Sequence, residues 1–120
     1  MSRHEKINYV EFATKDLEAT KAFFTQVFGW TFEDYGSDYS AFTGQGLDGG
    51  FYRDNLASTT KKGGALIVFY SLRLEITKKK IEEAGGVICK PVFSFPGGRR
   101  FHFKEPSGNE FAVWSDEPAS

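Results

Sequence analysis

Moving the first half of this chain along by 57 positions lays it over the second. Tyr9 falls on Leu66, Val10 on Ile67, Phe12 on Phe69, Leu17-Glu18 on Leu74-Glu75, Thr20 on Thr77 and Gly29 on Gly86. The chain therefore reads as a tandem duplication of one unit. Periodicity tells what each copy contains. Residues 7–14 alternate as a strand, Asp16 supplies a helix N-cap, and Leu17, Thr20, Phe24, Val27 and Phe28 recur at helical spacing until Gly29 stops them. Residues 30–34, 39–43 and 49–53 read as three further strands, divided by the Gly36-Ser37-Asp38 turn and by Gly44-Gln45-Gly46. The first copy is therefore β-α-β-β-β. In the second, residues 65–71 form a strand and 74–84 a helix closed by Gly85-Gly86, with Glu75 and Lys79 as an i,i+4 pair; 87–93, 99–104 and 109–114 are strands. Arg73 stands where the first helix has Asp16, so that cap is lost and Ser71 is left as a substitute.

These units predict an α+β fold in one domain over 1–120: a first module over about 6–53, a polar, glycine-ended linker over about 54–64 and a second module over about 65–115. The 13 Phe, 5 Tyr and 2 Trp supply unusual aromatic surface, enough to fill a core and to line a pocket. Lys and Arg number 15 against 16 Asp and Glu, with no long block of either sign, which gives nucleic acid or an anionic membrane no footprint. The densest basic run, Lys78-Lys79-Lys80, reads as a solvated helix face. No apolar run approaches the roughly 20 residues that span a bilayer, and Met1-Ser2-Arg3-His4-Glu5 carries no signal-peptide core, so a cytoplasmic protein is expected. A lone Cys89 excludes an internal disulfide and a multi-cysteine metal cage; as a strand residue it is expected to be a small buried apolar group.

The repeat, together with Asp-Leu-Glu-Ala-Thr at 16–20, Phe-Phe at 23–24, Phe-Gly-Trp at 28–30, Gly-Gly at 85–86 and Glu-Pro-Ser-Gly-Asn at 105–109, resembles the vicinal oxygen chelate superfamily. That group holds glyoxalase I, bleomycin-resistance proteins, fosfomycin-resistance enzymes and extradiol dioxygenases. The resemblance covers almost the whole chain. It implies tandem βαβββ modules paired into a cupped mixed sheet, helices on the outer face, a site on the concave side, and a homodimer whose sites are sometimes shared between chains.

With helices on one face, Val10, Phe12, Ile67, Phe69, Phe101, Phe103, Phe111 and Val113 are expected in the core. Their alternates Tyr9, Glu11, Leu66, Val68, Tyr70, Arg100, His102, Lys104, Glu110, Ala112 and Trp114 should face the cup. The resemblance places a divalent metal on four cup positions, which in this chain are Tyr9, Leu66, Ala112 and a residue near Phe51, the last with a register uncertainty of one or two. None is a ligand for Mg, Mn, Fe or Zn, so neither a metal nor any other cofactor is expected. A hairpin around 105–109 would set Lys104 opposite Glu110, His102 opposite Ala112 and Arg100 opposite Trp114.

Two readings stay open. In the first, the chain binds an unidentified small molecule without metal, in a cup walled by Tyr9, Phe51, Leu66, Tyr70, Ala112 and Trp114. In the second it is a lyase or isomerase in which His102 works with Glu11 or Glu110 as acid and base, and Arg100 anchors an anionic substrate. Each residue also has a plainer role: His102 as a satisfied rim histidine, Lys104 and Glu110 as an exposed ion pair, Arg100 as a surface arginine, and the aromatics as a dimer interface.

Overall fold

The computed structural model describes residues 2–118. Met1, Ala119 and Ser120 of the expected domain lie outside the described residues. The first module holds β1 (Tyr9–Thr14), α1 (Leu17–Phe28), β2 (Glu33–Asp34), β3 (Tyr39–Gln45) and β4 (Leu47–Arg53). The second holds β5 (Ile67–Tyr70), α2 (Leu74–Glu83), β6 (Val87–Phe95), β7 (Gly98–Lys104) and β8 (Glu110–Ser115). Each module makes a four-stranded mixed sheet, in the orders β1-β4-β3-β2 and β5-β8-β7-β6. In both, the first strand pairs parallel to the last and the other pairings are antiparallel. The α+β architecture and the repeat expected from the sequence are thus present, with the mixed sheet divided into two.

The repeat extends to the helix starts. Thr14 Oγ1 accepts from the Asp16 amide at 3.2 Å and bonds Thr20 Oγ1 at 2.8 Å. Ser71 Oγ accepts from the Arg73 amide at 2.9 Å and bonds Thr77 Oγ1 at 2.7 Å. Asp16 caps α1 by accepting from the Ala19 amide at 3.0 Å, whereas Arg73 at the α2 N-cap makes no side-chain cap bond. Ser71 therefore steadies the approach to α2 without replacing the cap. Glu75, expected to support α2 through Lys79, binds the Arg99 guanidinium of β7.

At the end of α1, Gly29 takes φ 73°, and the amides of Gly29 and Trp30 return to Thr25 O and Phe24 O. Trp30 then turns into the core between Phe24 and Phe42, with ring centroids at 4.6 and 4.3 Å. Residues 30–32 consequently act as a connector, and the strand expected over 30–34 shrinks to Glu33–Asp34. The core lies between helices and sheets. Phe24, fully buried, touches Phe51 of the first module and Phe69 and Phe111 of the second. Phe12, Phe101, Phe103, Phe111 and Val113 are buried with it, while Val10, Ile67 and Phe69 pack partly buried against it.

A second junction is polar. Glu105, 2% exposed, accepts from Thr20 Oγ1 and the Ser107 amide on one oxygen, and from the Asn109 amide and side chain on the other. Asn109 Nδ2 also donates to Ala13 O at 2.8 Å, and Thr14 Oγ1 to Ser107 Oγ at 2.7 Å. The turn between β7 and β8 is thereby fixed to the β1–α1 corner, which holds the two site-bearing strands in place.

Candidate functional site

β7 and β8 pair as their turn predicts: Arg100 with Trp114, His102 with Ala112 and Lys104 with Glu110. Alternation sends Phe101 and Phe103 into the core and His102 to the other face. Glu110 reaches diagonally across the hairpin, so that its Oε2 lies 2.7 Å from His102 Nδ1. Lys104 is not its partner. Glu110 Oε1 accepts from the Thr60 amide at 2.8 Å and from the Thr60 hydroxyl at 3.0 Å. Burial pushes the Glu110 carboxyl up, but the His102 bond, the two Thr60 bonds and the attraction of His102 together outweigh it and hold the carboxyl below its ordinary range. An ionised Glu110 requires a proton on Nδ1, which assigns the tautomer by hydrogen bonding. His102 is 3% exposed, and its Nε2 is buried without a partner.

His102 and Glu110 border a cavity of about 500 Å³. Its walls come from the β1–α1 corner (Lys15), the linker (Ala57 and Thr59–Lys62), β6 (Cys89 and Lys90), Lys104 of β7 and the following turn (Ser107 and Gly108). Five of these residues are lysines, and among the described residues Glu110 is the only carboxylate in the wall. Cys89, expected to be buried, is exposed here: β6 is an edge strand, Ile88 packs against the core, and alternation turns Cys89 to the other face. Burial, followed by the Glu110 charge, raises the Cys89 thiol above its ordinary value.

The rest of this face is aromatic. Phe93 lies 5.9 Å from the His102 ring, and Arg100 sets its guanidinium 5.3 Å from Phe93 and 5.9 Å from Phe95. Trp114 follows, 6.2 Å from Phe95 and 5.0 Å from Tyr70. Tyr70 donates to Asp116 at 2.5 Å, and this bond, with some burial, pushes its phenol up to about 12. Tyr70 and half-buried Leu66 also line a separate apolar cleft of about 570 Å³, shared by β1 and β5, the inner edges of the two sheets.

Tyr9, Glu11, Arg100, Ala112 and Trp114 line neither cavity. Tyr9 and Glu11 are brought together by Tyr39, whose hydroxyl bonds Tyr9 at 2.5 Å and donates to Glu11 at 2.8 Å. Burial, then these two bonds, raise the Tyr39 phenol well above its ordinary value. Phe51 is not pocket lining: it pairs with Phe12 in register, points to the same side and is wholly buried. Its neighbour Gly50, opposite Glu11, takes the outward place, and any side chain there would run into the Tyr39 hydroxyl. The positions that would carry the superfamily metal therefore present a hydrogen-bonded phenol, a leucine, a buried alanine and a glycine filled by Tyr39, a set that does not fit a divalent ion. Among the described residues no group of three or more His, Cys, Asp or Glu is placed to hold one. Tyr39, Thr60, Lys15, Lys61, Lys62 and Lys90 are not among the residues the sequence marks for the site; the Thr-Thr-Lys-Lys run at 59–62 is a signal that reads equally as a polar linker.

No helix among the described residues is long and apolar enough to cross a membrane. No curated protein is significantly similar in sequence. A glyoxalase-related enzyme from Fulvimarina pelagi superposes with a TM-score of 0.76 at 15% identity, covering 92% of this chain and 88% of that one. A glyoxalase/bleomycin resistance protein/dioxygenase family enzyme from Burkholderia phytofirmans gives 0.75 at 16%, covering 91% and 97%. Lactoylglutathione lyase from Agrobacterium tumefaciens gives 0.69 at 18%, covering 95% and 96%. At these identities the likeness is one of fold. The family model for the Glyoxalase/Bleomycin resistance protein/Dioxygenase superfamily matches residues 6–113, and the chain belongs to that superfamily.

Proposed function

We propose that this chain is a metal-independent small-molecule-binding protein whose ligand lies in the cavity bordered by His102 and Glu110, with a polar group at His102 Nε2. The observation that carries this is the unpartnered, buried Nε2 of a histidine that borders a cavity of about 500 Å³. Leaving such a group unmatched costs about 1–3 kcal/mol, which a ligand hydrogen bond recovers. The cavity volume suits a small molecule.

One observation favours a second reading, lyase or isomerase chemistry. Glu110 on Nδ1 leaves the Nε2 lone pair free to take a proton from a bound substrate and return it, with Glu110 stabilising the imidazolium between the two steps. Glu11 has no part in this scheme, being held by Tyr39. Arg100, stacked on Phe93, anchors the far end of an anionic substrate. A homodimer belongs to both readings, with the exposed Tyr9, Val68 and Tyr70 in its interface.

Native mass spectrometry of freshly purified protein tests these readings together. Wild type should carry a small molecule that His102→Ala loses. A compound altered by wild type but only bound by the variant decides for catalysis. The same spectra should give a dimer. One divalent ion per chain whose removal abolishes binding overturns metal independence, and monomer alone overturns the dimer.

A further inference from the structure

The cavity beside His102 concentrates positive charge in a chain that has nearly none to spare. Lys15, Lys61, Lys62, Lys90 and Lys104 line it, in a protein of net charge -1. Among the described residues none of the five has an ion-pair partner. The one carboxylate in the wall, Glu110, is already engaged by His102 and Thr60. These lysines come from four separate parts of the chain, the β1–α1 corner, the linker, β6 and β7, so their meeting is a product of the fold and not of one basic run. Five lysines around one concavity set a positive potential over it, although the Lys90 ammonium also lies 5.1 Å from the Phe93 ring. His102 borders the same concavity, and its Nε2, buried without a partner, is a donor in the imidazolium form.

We infer that the cavity binds a small, multiply charged anion of the phosphate type, free or as the phosphate end of an ester, with its oxygens among the lysine ammonium groups and on His102 Nε2. This rests on the reading of the His102 cavity as the ligand site and names the ligand's chemistry. Several lysines serve a phosphate as point charges, where a single carboxylate would leave most of them unmatched. The size of the concavity, about 500 Å³, and the balanced net charge favour a small anion over a nucleic acid strand.

Cys89, the single cysteine, is exposed in the same wall and reports occupancy. The experiment measures its alkylation by iodoacetamide, an uncharged reagent, in the presence of inorganic pyrophosphate, glycerol phosphate, glycerol, or sodium chloride at matched ionic strength. Saturable protection by pyrophosphate or glycerol phosphate, absent with glycerol and with salt, is expected; protection by glycerol phosphate shows that the phosphate end of an ester fits, and protection by pyrophosphate alone that only the free anion does. The double variant Lys61→Ser/Lys62→Ser, altered only at exposed linker positions, should need at least about tenfold more anion for half protection. Lys78→Ser/Lys79→Ser on α2, outside the cavity, should match wild type. Protection that follows ionic strength alone, or that survives the linker variant unchanged, overturns the inference. If no anion protects while wild type still carries a small molecule that His102→Ala loses, the anion assignment fails and the binding site stands; if both results are negative, both fail.

Discussion

A carboxylate as enclosed as Glu110 stays charged only because three donors face it: His102 Nδ1, the Thr60 amide and the Thr60 hydroxyl. Its carboxyl is therefore held below the ordinary range in the folded protein. A group whose folded pKa lies below its unfolded one stabilises the protein above the unfolded value, about 4.3 for glutamate, and loses that contribution as the pH falls through the folded value. Glu110→Gln should therefore lower unfolding free energy by about 1–3 kcal/mol at neutral pH. In urea titrations of both proteins the gap should narrow below about pH 4. A gap that stays constant into acid refutes the assignment of Glu110 as the ionised partner. At this scale the sequence was partly legible. Strand alternation sets His102 and Glu110 on one hairpin and leaves Glu11 as a rival neighbour; that Glu110 bonds His102 while Tyr39 holds Glu11 depends on a strand distant in sequence. Phe51 was misplaced because a shift of one residue in β4 reverses every side chain, and only its register with Phe12 fixes that.

The elements show the same division between local and distant causes. Helix ends were legible because their chemistry is local: the Asp16 cap and the Gly29 stop both stand as read. The strand over 30–34 was overextended because Trp30 reads equally as strand residue or core plug, and packing against Phe24 and Phe42 settles it. The linker was underread, since nothing local announces that Thr60 will hold Glu110. The uncapped second helix yields a prediction. Arg73 has φ -137° and ψ 85°, and Asp16, the capping residue of the first helix, has φ -136° and ψ 91°. The backbone at Arg73 is thus already shaped for a cap, and an acid there also suits the helix N-terminus. Arg73→Asp should stabilise the protein by roughly 0.5–1 kcal/mol, read as a raised midpoint in thermal unfolding. Asp16→Ala should lose a comparable amount. An unchanged or lowered midpoint for Arg73→Asp shows that α2 begins differently from α1.

Over the whole molecule, the repeat implies two sheets that neither module can cover alone, and the aromatic excess is what closes them. Most of the phenylalanine is core, as periodicity indicated, and the rings form one continuous cluster across both modules. Phe24 sits at its centre. It comes from the first module's helix, yet it touches Phe69 and Phe111 of the second at 6.4 and 5.3 Å. Removing it opens a void bounded by both sheets, which neither module can fill by its own relaxation. Phe24→Ala should therefore cost about 3–5 kcal/mol. Because the void is shared, both modules should melt earlier and together. Trp30 fluorescence reports the first module and Trp114 the second, so single-tryptophan versions made with Trp30→Phe or Trp114→Phe can follow each module separately. Coincident transitions, both displaced by Phe24→Ala, are expected. If only the Trp30 signal shifts, the modules are energetically separate and the shared core does not couple them.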